Sequence, residues 1–189
     1  MKEKKQFIII HGAYGSPAEN WFPWLSEKLQ AEGHSVLVPK LPTPEGQTLS
    51  NWLENFKKQV GQLNESMIFV GHSLAPGFIL NLLERSTTKV SSIFLISGFI
   101  GKLGIEDFDS INETFVCRQF DWDKIKGNTG SIFVYNSDND PYVPIEKGED
   151  LAKKLGVKLN VIHNGGHINT DSGYVEIPFL LEAIKSHLL

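Results

Sequence analysis

Three stretches of this chain carry side chains suited to acyl chemistry. Ser73 stands in Gly71-His72-Ser73-Leu74-Ala75, directly after the apolar run 67–70. Asp138 and Asp140 stand in "NSDNDPYVP", and His163 and His167 in "HNGGHIN". A serine hydroxyl is a poor nucleophile until a base takes its proton, and an imidazole can take that proton and later return it to a leaving group. A carboxylate behind the imidazole fixes its tautomer and stabilises the protonated ring. The residue types therefore suit a serine nucleophile, a histidine base and an acid that orients the base.

Two candidates compete for each partner of the serine. An aspartate in a loop often only caps a turn, so the residues alone leave Asp138 and Asp140 both open. His163 and His167 are four apart, which raises a zinc pair. Asn-Gly-Gly between them is not a helix interior, and no glutamate follows the first histidine as a metalloprotease motif requires. No metal and no cofactor is expected. His11 and His72 read as structural or pocket-lining, and His34 and His187 as surface positions.

A nucleophile must project clear of its backbone, which calls for a sharp turn. Gly71 permits close packing at that turn. The position two residues after the serine, more often glycine in such turns, is Ala75, so the fold must find room for a methyl. An oxyanion formed on the substrate needs two N–H donors. Leu74, at the start of a helix, is one candidate. "HGAYG" after the first apolar run supplies the other, Ala13 first and Tyr14 second. Tyr14, Trp21 and Phe99, with His11 and His72, are candidates to line a substrate pocket.

The elements that must position these groups alternate along the chain. "FIII" (7–10), "SVLV" (35–38), "MIFV" (67–70), "SIFLIS" (92–97), "SIFVY" (131–135) and "KLNVI" (158–162) are short, rich in Val, Ile and Phe, and read as strands buried on both faces. Between them lie helical patterns. Ser16-Pro17-Ala18-Glu19 reads as a capping box opening a helix through Trp21, Trp24, Leu25 and Leu29 toward Gly33. Leu49, Trp52, Leu53, Phe56 and Val60 repeat the pattern, as do Phe78, Leu82 and Leu83. Segments 146–156 and 174–189 read as two more helices, with Pro178 in the first turn of the last. The alternation predicts a single α/β domain over 1–189, with a mostly parallel central sheet and helices on both faces. Ligands of such sheets sit beyond the carboxyl ends of the strands, where Ser73, the two aspartates and the two histidines all fall. Segment 98–130 is a long connection of the kind that often covers a site. Its acidic run 105–109 reads as a solvated face, and Cys117 as a packed or surface thiol.

Composition narrows the function classes. The chain has 189 residues, 41% hydrophobic and 21% charged, with a net charge of −4. No basic stripe suggests nucleic acid. One cysteine forms no internal disulfide, and the N-terminal apolar run is too short for a leader or a membrane span. A cytoplasmic protein is expected, without nucleic-acid or membrane partners.

The chain order serine, acid, histidine at successive strand ends is that of α/β-hydrolase enzymes. "IIIHGAYGSPAENWFPWL", "FVGHSLAP", "SDNDPYVP" and "NGGHI" together resemble the small serine hydrolases of the retinoblastoma-binding serine hydrolase family, including bacterial members. The resemblance spans the chain from Phe7 to the last helix. It implies a compact α/β-hydrolase fold, with Ser73 as nucleophile, Asp140 (the Asp of D-x-x-V-P) as acid and His167 (the His of G-G-H) as base. It also implies carboxylesterase activity on short acyl esters. The expected activity is hydrolysis of a small-molecule carboxylic ester through an acyl-enzyme. A thioesterase or amidase would use the same parts. The alternative of another class is a partner-binding protein on a hydrolase scaffold.

Overall fold

The computed structural model describes residues 4–189. The apolar runs form six strands: β1 (Gln6–Ile10), β2 (Ser35–Leu37), β3 (Met67–His72), β4 (Val90–Ile96), β5 (Thr129–Ser137) and β6 (Leu159–Ile162). Their order in one sheet is β2-β1-β3-β4-β5-β6, and every pairing is parallel. The chain leaves β1 toward one edge and β3 toward the other. The crevice such sheets use for ligands therefore opens beyond the carboxyl ends of β1 and β3.

Side chains alternate across the sheet with period two. Phe7, Ile9, Ile68, Val70, Phe94 and Ile96 turn to one face, against α1 (Phe22–Ala31) and α7 (Pro178–His187). Ile8, Ile10, Phe69, Ile93, Leu95 and Val134 turn to the other. There they meet α2 (Leu49–Gln59), α3 (Ala75–Arg85), α4 (Glu106–Val116), α5 (Trp122–Gly127) and α6 (Ile145–Leu155). The central strands are buried on both faces, so they read as apolar runs rather than alternating ones, while the edge strands β2 and β6 are partly exposed. The architecture is the α/β-hydrolase arrangement expected from the sequence.

Local chemistry sets the helix ends. The Thr48 side chain accepts the Asn51 N–H at 3.3 Å and opens α2. Pro76 sits in the first turn of α3, where a missing N–H leaves no bond unmade. Gly156, in a left-handed conformation, closes α6.

Two expected helix starts move. The Ser16–Glu19 segment makes a turn, with the Glu19 N–H on the Ser16 carbonyl at 3.4 Å, and no side chain caps α1. Asn20 adopts a φ of 53°, so helical backbone begins only at Phe22. Residues 174–177 precede α7 instead of opening it. Proline disfavours helical backbone in the residue before it, and Ile177 is accordingly non-helical, with φ −137° and ψ 66°. Segment 98–130, expected as an irregular excursion, contains α4 and α5. Phe115, Val116 and Ile125 anchor it in the core. The Gln47 side chain donates to Asn112 at 2.8 Å, and Asn81 to the Phe115 carbonyl at 2.9 Å. Asp109 is not simply a solvated acid: its carboxylate accepts the Leu103 and Gly104 N–H groups at 2.6 and 2.9 Å.

Candidate active site

The chain leaves β3 at His72 and enters α3 at Ala75, so only Ser73 and Leu74 make the corner. Ser73 has a φ of 62°, a left-handed conformation rare for a residue with a Cβ. Its N–H continues the β4 ladder by donating to Ile96 O at 2.9 Å. The side chain is thereby turned out of the sheet and is half-exposed. Neighbouring glycines give the corner its room. A Cβ on Gly71 would lie 2.5 Å from Ile79 Cδ1 and 3.2 Å from the Ala75 methyl, so Gly71 is what lets Ala75 stand in this turn. A Cβ on Gly12 would lie 2.7 Å from Ser73 Cβ. Sequence reading overlooked Gly12; its signal was a glycine directly after the first strand and its histidine.

The two acids and two histidines sort into separate pairs. His167 Nδ1 donates to Asp140 Oδ2 at 2.7 Å, and both side chains are almost wholly buried. Asp140 Oδ1 accepts the Tyr142 and Val143 N–H groups at 2.9 and 3.0 Å. His163 Nδ1 lies 2.6 Å from Asp138 Oδ2 at the surface. There the Asn164 N–H and the His163 ring hold the Asp138 carboxyl below its ordinary pKa. Further bonds lace the loop after β5 to the loop after β6. Gly165 N–H donates to Ser137 Oγ at 2.9 Å and Gly166 N–H to Asn139 Oδ1 at 2.7 Å. Ser137 and Asn139 were not singled out in the sequence, because a loop serine or asparagine carries no distinguishing pattern. No group of three or more His, Cys, Asp or Glu that could hold a metal occurs among the described residues.

Ser73 and His167 line one cavity of about 640 Å³ at the carboxyl ends of β1 and β3. With its Nδ1–H given to Asp140, the neutral His167 ring keeps Nε2 as its acceptor. The Ala13 and Leu74 N–H groups have no acceptor among the described residues, whereas the Tyr14 N–H donates to Thr43 Oγ1 at 2.6 Å. Ala13 and Leu74 are therefore the free donors at this corner, and Tyr14 is not. Leu103, Phe99 and Phe108 give the cavity an apolar wall, and Glu19 and Asp171 lie among its lining. Among the described residues no lysine or arginine lines it. An edge-to-face series of rings runs from Tyr14 through Phe108 and Tyr142 to His167, with centroids 5.8, 5.7 and 5.2 Å apart.

Of the expected pocket residues, Tyr14, His72 and Phe99 line the cavity, and His11 and Trp21 do not. His11 is buried behind it. Its Nδ1 donates to Gly12 O at 2.8 Å and its Nε2 accepts the Leu41 N–H at 3.1 Å, so the ring braces the loop after β1. Burial lowers its pKa. Trp21 is a fully buried core residue whose Nε1–H donates to Ile168 O at 2.9 Å. His34 is likewise not a surface residue: it packs edge-on against Phe7, and its Nδ1 accepts the Lys5 N–H.

Known proteins place the chain. It is 31% identical over 185 residues to the ydeN gene product of Bacillus subtilis, covering 97% of this chain and 96% of that one. The crystal structure of that protein superposes with a TM-score of 0.89. It is 27% identical to the rat serine hydrolase RBBP9, covering 100% of this chain and 98% of that protein. A hydrolase from Oleispira antarctica, 13% identical with a TM-score of 0.68, shares the fold. The model of the serine hydrolase family matches residues 7–186, nearly the whole chain, and the protein is accordingly a member of that family.

Proposed function

We propose that the protein hydrolyses small carboxylic esters through an acyl-enzyme, with Ser73 as nucleophile, His167 as base and Asp140 as the acid that orients it. The observation that carries this reading is the buried Asp140–His167 pair opening onto the same cavity as a serine held in a strained turn. His167 Nε2 takes the proton of Ser73 as Oγ attacks the ester carbonyl. The tetrahedral oxyanion is held by the Leu74 and Ala13 N–H groups. Collapse expels the alcohol, which receives the proton from His167. Water then attacks the acyl-Ser73 with His167 again as base, releasing the acid. Asp140 keeps Nδ1 protonated throughout, so Nε2 is always the atom that faces the reaction. Two oxyanion donors of this kind are worth about 100- to 1000-fold each in rate.

The apolar wall of Phe99, Leu103 and Phe108 suits a short, uncharged acyl group. A panel of nitrophenyl esters of increasing acyl length, run with the corresponding thioesters and anilides beside Ser73→Ala, tests the reading. Turnover of short esters that vanishes in Ser73→Ala is expected. Equal release by wild type and Ser73→Ala contradicts it, and a preference for thioesters or anilides would reassign the substrate class.

A further inference from the structure

The residue before the nucleophile is buried beside the cavity, and its side-chain contacts are specific. His72 is the last residue of β3 and is 3% exposed. Its Nε2 lies 2.8 Å from the His167 carbonyl oxygen. A carbonyl only accepts, so His72 is the Nε2–H tautomer donating to it. Ser97 Oγ, beyond β4, donates to the same oxygen at 3.2 Å. Trp21 Nε1–H takes the next carbonyl, that of Ile168, at 2.9 Å. Three side chains from separate parts of the chain thus hold two consecutive carbonyls of the loop that carries the base.

We infer that His72 is a positioning residue for His167: its buried Nε2–H ties the backbone of the base to the strand end that carries the nucleophile. This rests on Ser73 and His167 being the reacting pair. His72 and Ser73 are joined by one peptide bond, so the bond to His167 O closes a short path between nucleophile and base that bypasses the long stretch of chain between them. Packing alone does not account for an imidazole here. The ring sits edge-on among Trp21 and Phe22, at 5.9 and 6.1 Å between centroids, where phenylalanine would avoid burying polar nitrogens. Its centroid is 4.8 Å from that of His167. A second cation at that distance would oppose the imidazolium that His167 becomes in the reaction, so the device works only while His72 is neutral. Burial enforces this, with the neighbouring His167 adding to it, and lowers the His72 pKa to about 3.

Phosphonylation of Ser73 by a fluorophosphonate, followed by intact mass at several probe concentrations, separates the chemical step from the encounter. His72→Phe is expected to slow the first-order step by about 10- to 100-fold, the scale of a misplaced catalytic group. Its half-saturating probe concentration and melting temperature should stay close to wild type. His72→Gln carries an amide N–H at the reach of Nε2 and is expected to recover most of the rate. His72→Asn is one methylene too short and is not. Equal first-order rates for His72→Phe and wild type overturn the proposal, as do equal rates for His72→Gln and His72→Asn, a comparison that holds even if the phenylalanine variant does not fold. Losses that track a lowered melting temperature in all three would leave only a packing role and overturn it as well. Wild type that is never labelled at Ser73 instead refutes the underlying assignment of the reacting pair.

Discussion

At the scale of single residues, the site is a set of choices between similar groups, and burial makes the choices. Asp138 and Asp140 are two residues apart and each meets a histidine, but only the Asp140–His167 pair is shielded from water. An ion pair held in water contributes little. Asp140→Asn is expected to lower kcat by about 10,000-fold, the loss that follows when a base is left in the wrong tautomer. Asp138→Asn should lower it by far less; steady-state kinetics on a short ester distinguishes them, and the reverse ranking would reassign the acid. The buried histidines have a pH consequence too. Folded His72 stays neutral down to about pH 3, whereas an unfolded imidazole takes a proton near 6.5. Between those values the unfolded state binds a proton that the folded state does not. The stability His72 contributes is therefore complete above pH 6.5 and is lost on acidification, at roughly 1.4 kcal/mol per pH unit. His11, lowered by the same cause, adds to the slope. Urea unfolding at stepped pH values should show it, with a shallower slope in His72→Gln; an unchanged slope would place the acid lability elsewhere.

Elements turn these residues into a site by close approach. The turn between β3 and α3 fits only because Gly71 leaves a gap for Ile79 and Ala75. Gly71→Ala should cost about 1–3 kcal/mol, as overpacked cores do. Ile79→Val removes Cδ1, the atom the new methyl would meet at 2.5 Å, so the two substitutions should couple. Chemical denaturation of the four proteins of the cycle measures this, and strict additivity would mean that the backbone, not Ile79, yields. The strands were legible in the sequence because the central ones are buried on both faces and each strand contains a short apolar run. The helix starts near 16 and 174 were not. Local capping and proline signals there competed with a turn at Asn20 and with the demands Pro178 makes on Ile177, and tertiary contacts decided between them. Ser73 stood out because it lies just past a strand in a recognisable motif; Asp140 and His167 were preferred to their loop neighbours Asp138 and His163 only through the family resemblance. Gly12, Ser137 and Asn139 did not, because what they do is defined by neighbours distant in sequence.

The whole molecule brings together at one sheet edge groups that the chain holds far apart, and it surrounds them with a particular electrostatic setting. The protein carries a net charge of −4, and the cavity is lined by Glu19 and Asp171 with no lysine or arginine beside them among the described residues. An ester whose acyl group ends in a carboxylate should be turned over less well than its neutral isostere. A repulsion of about 1 kcal/mol, the scale for charges a few ångströms apart in water, corresponds to roughly fivefold in kcat/KM. Added salt should narrow the gap. Equal rates for the pair at low salt would show that the acyl group does not feel these carboxylates. Within the described residues no helix is long and apolar enough to cross a membrane. The central claim is that acyl transfer passes through the Ser73 oxygen, and an acid quench reads it directly. Wild-type protein mixed with nitrophenyl acetate, quenched within the first turnovers and analysed by peptide mass, should carry one acetyl group on the peptide containing Ser73, with none in Ser73→Ala. Rapid hydrolysis with that peptide unmodified, or an acetyl group lodged on another residue while Ser73→Ala remains fully active, would contradict it.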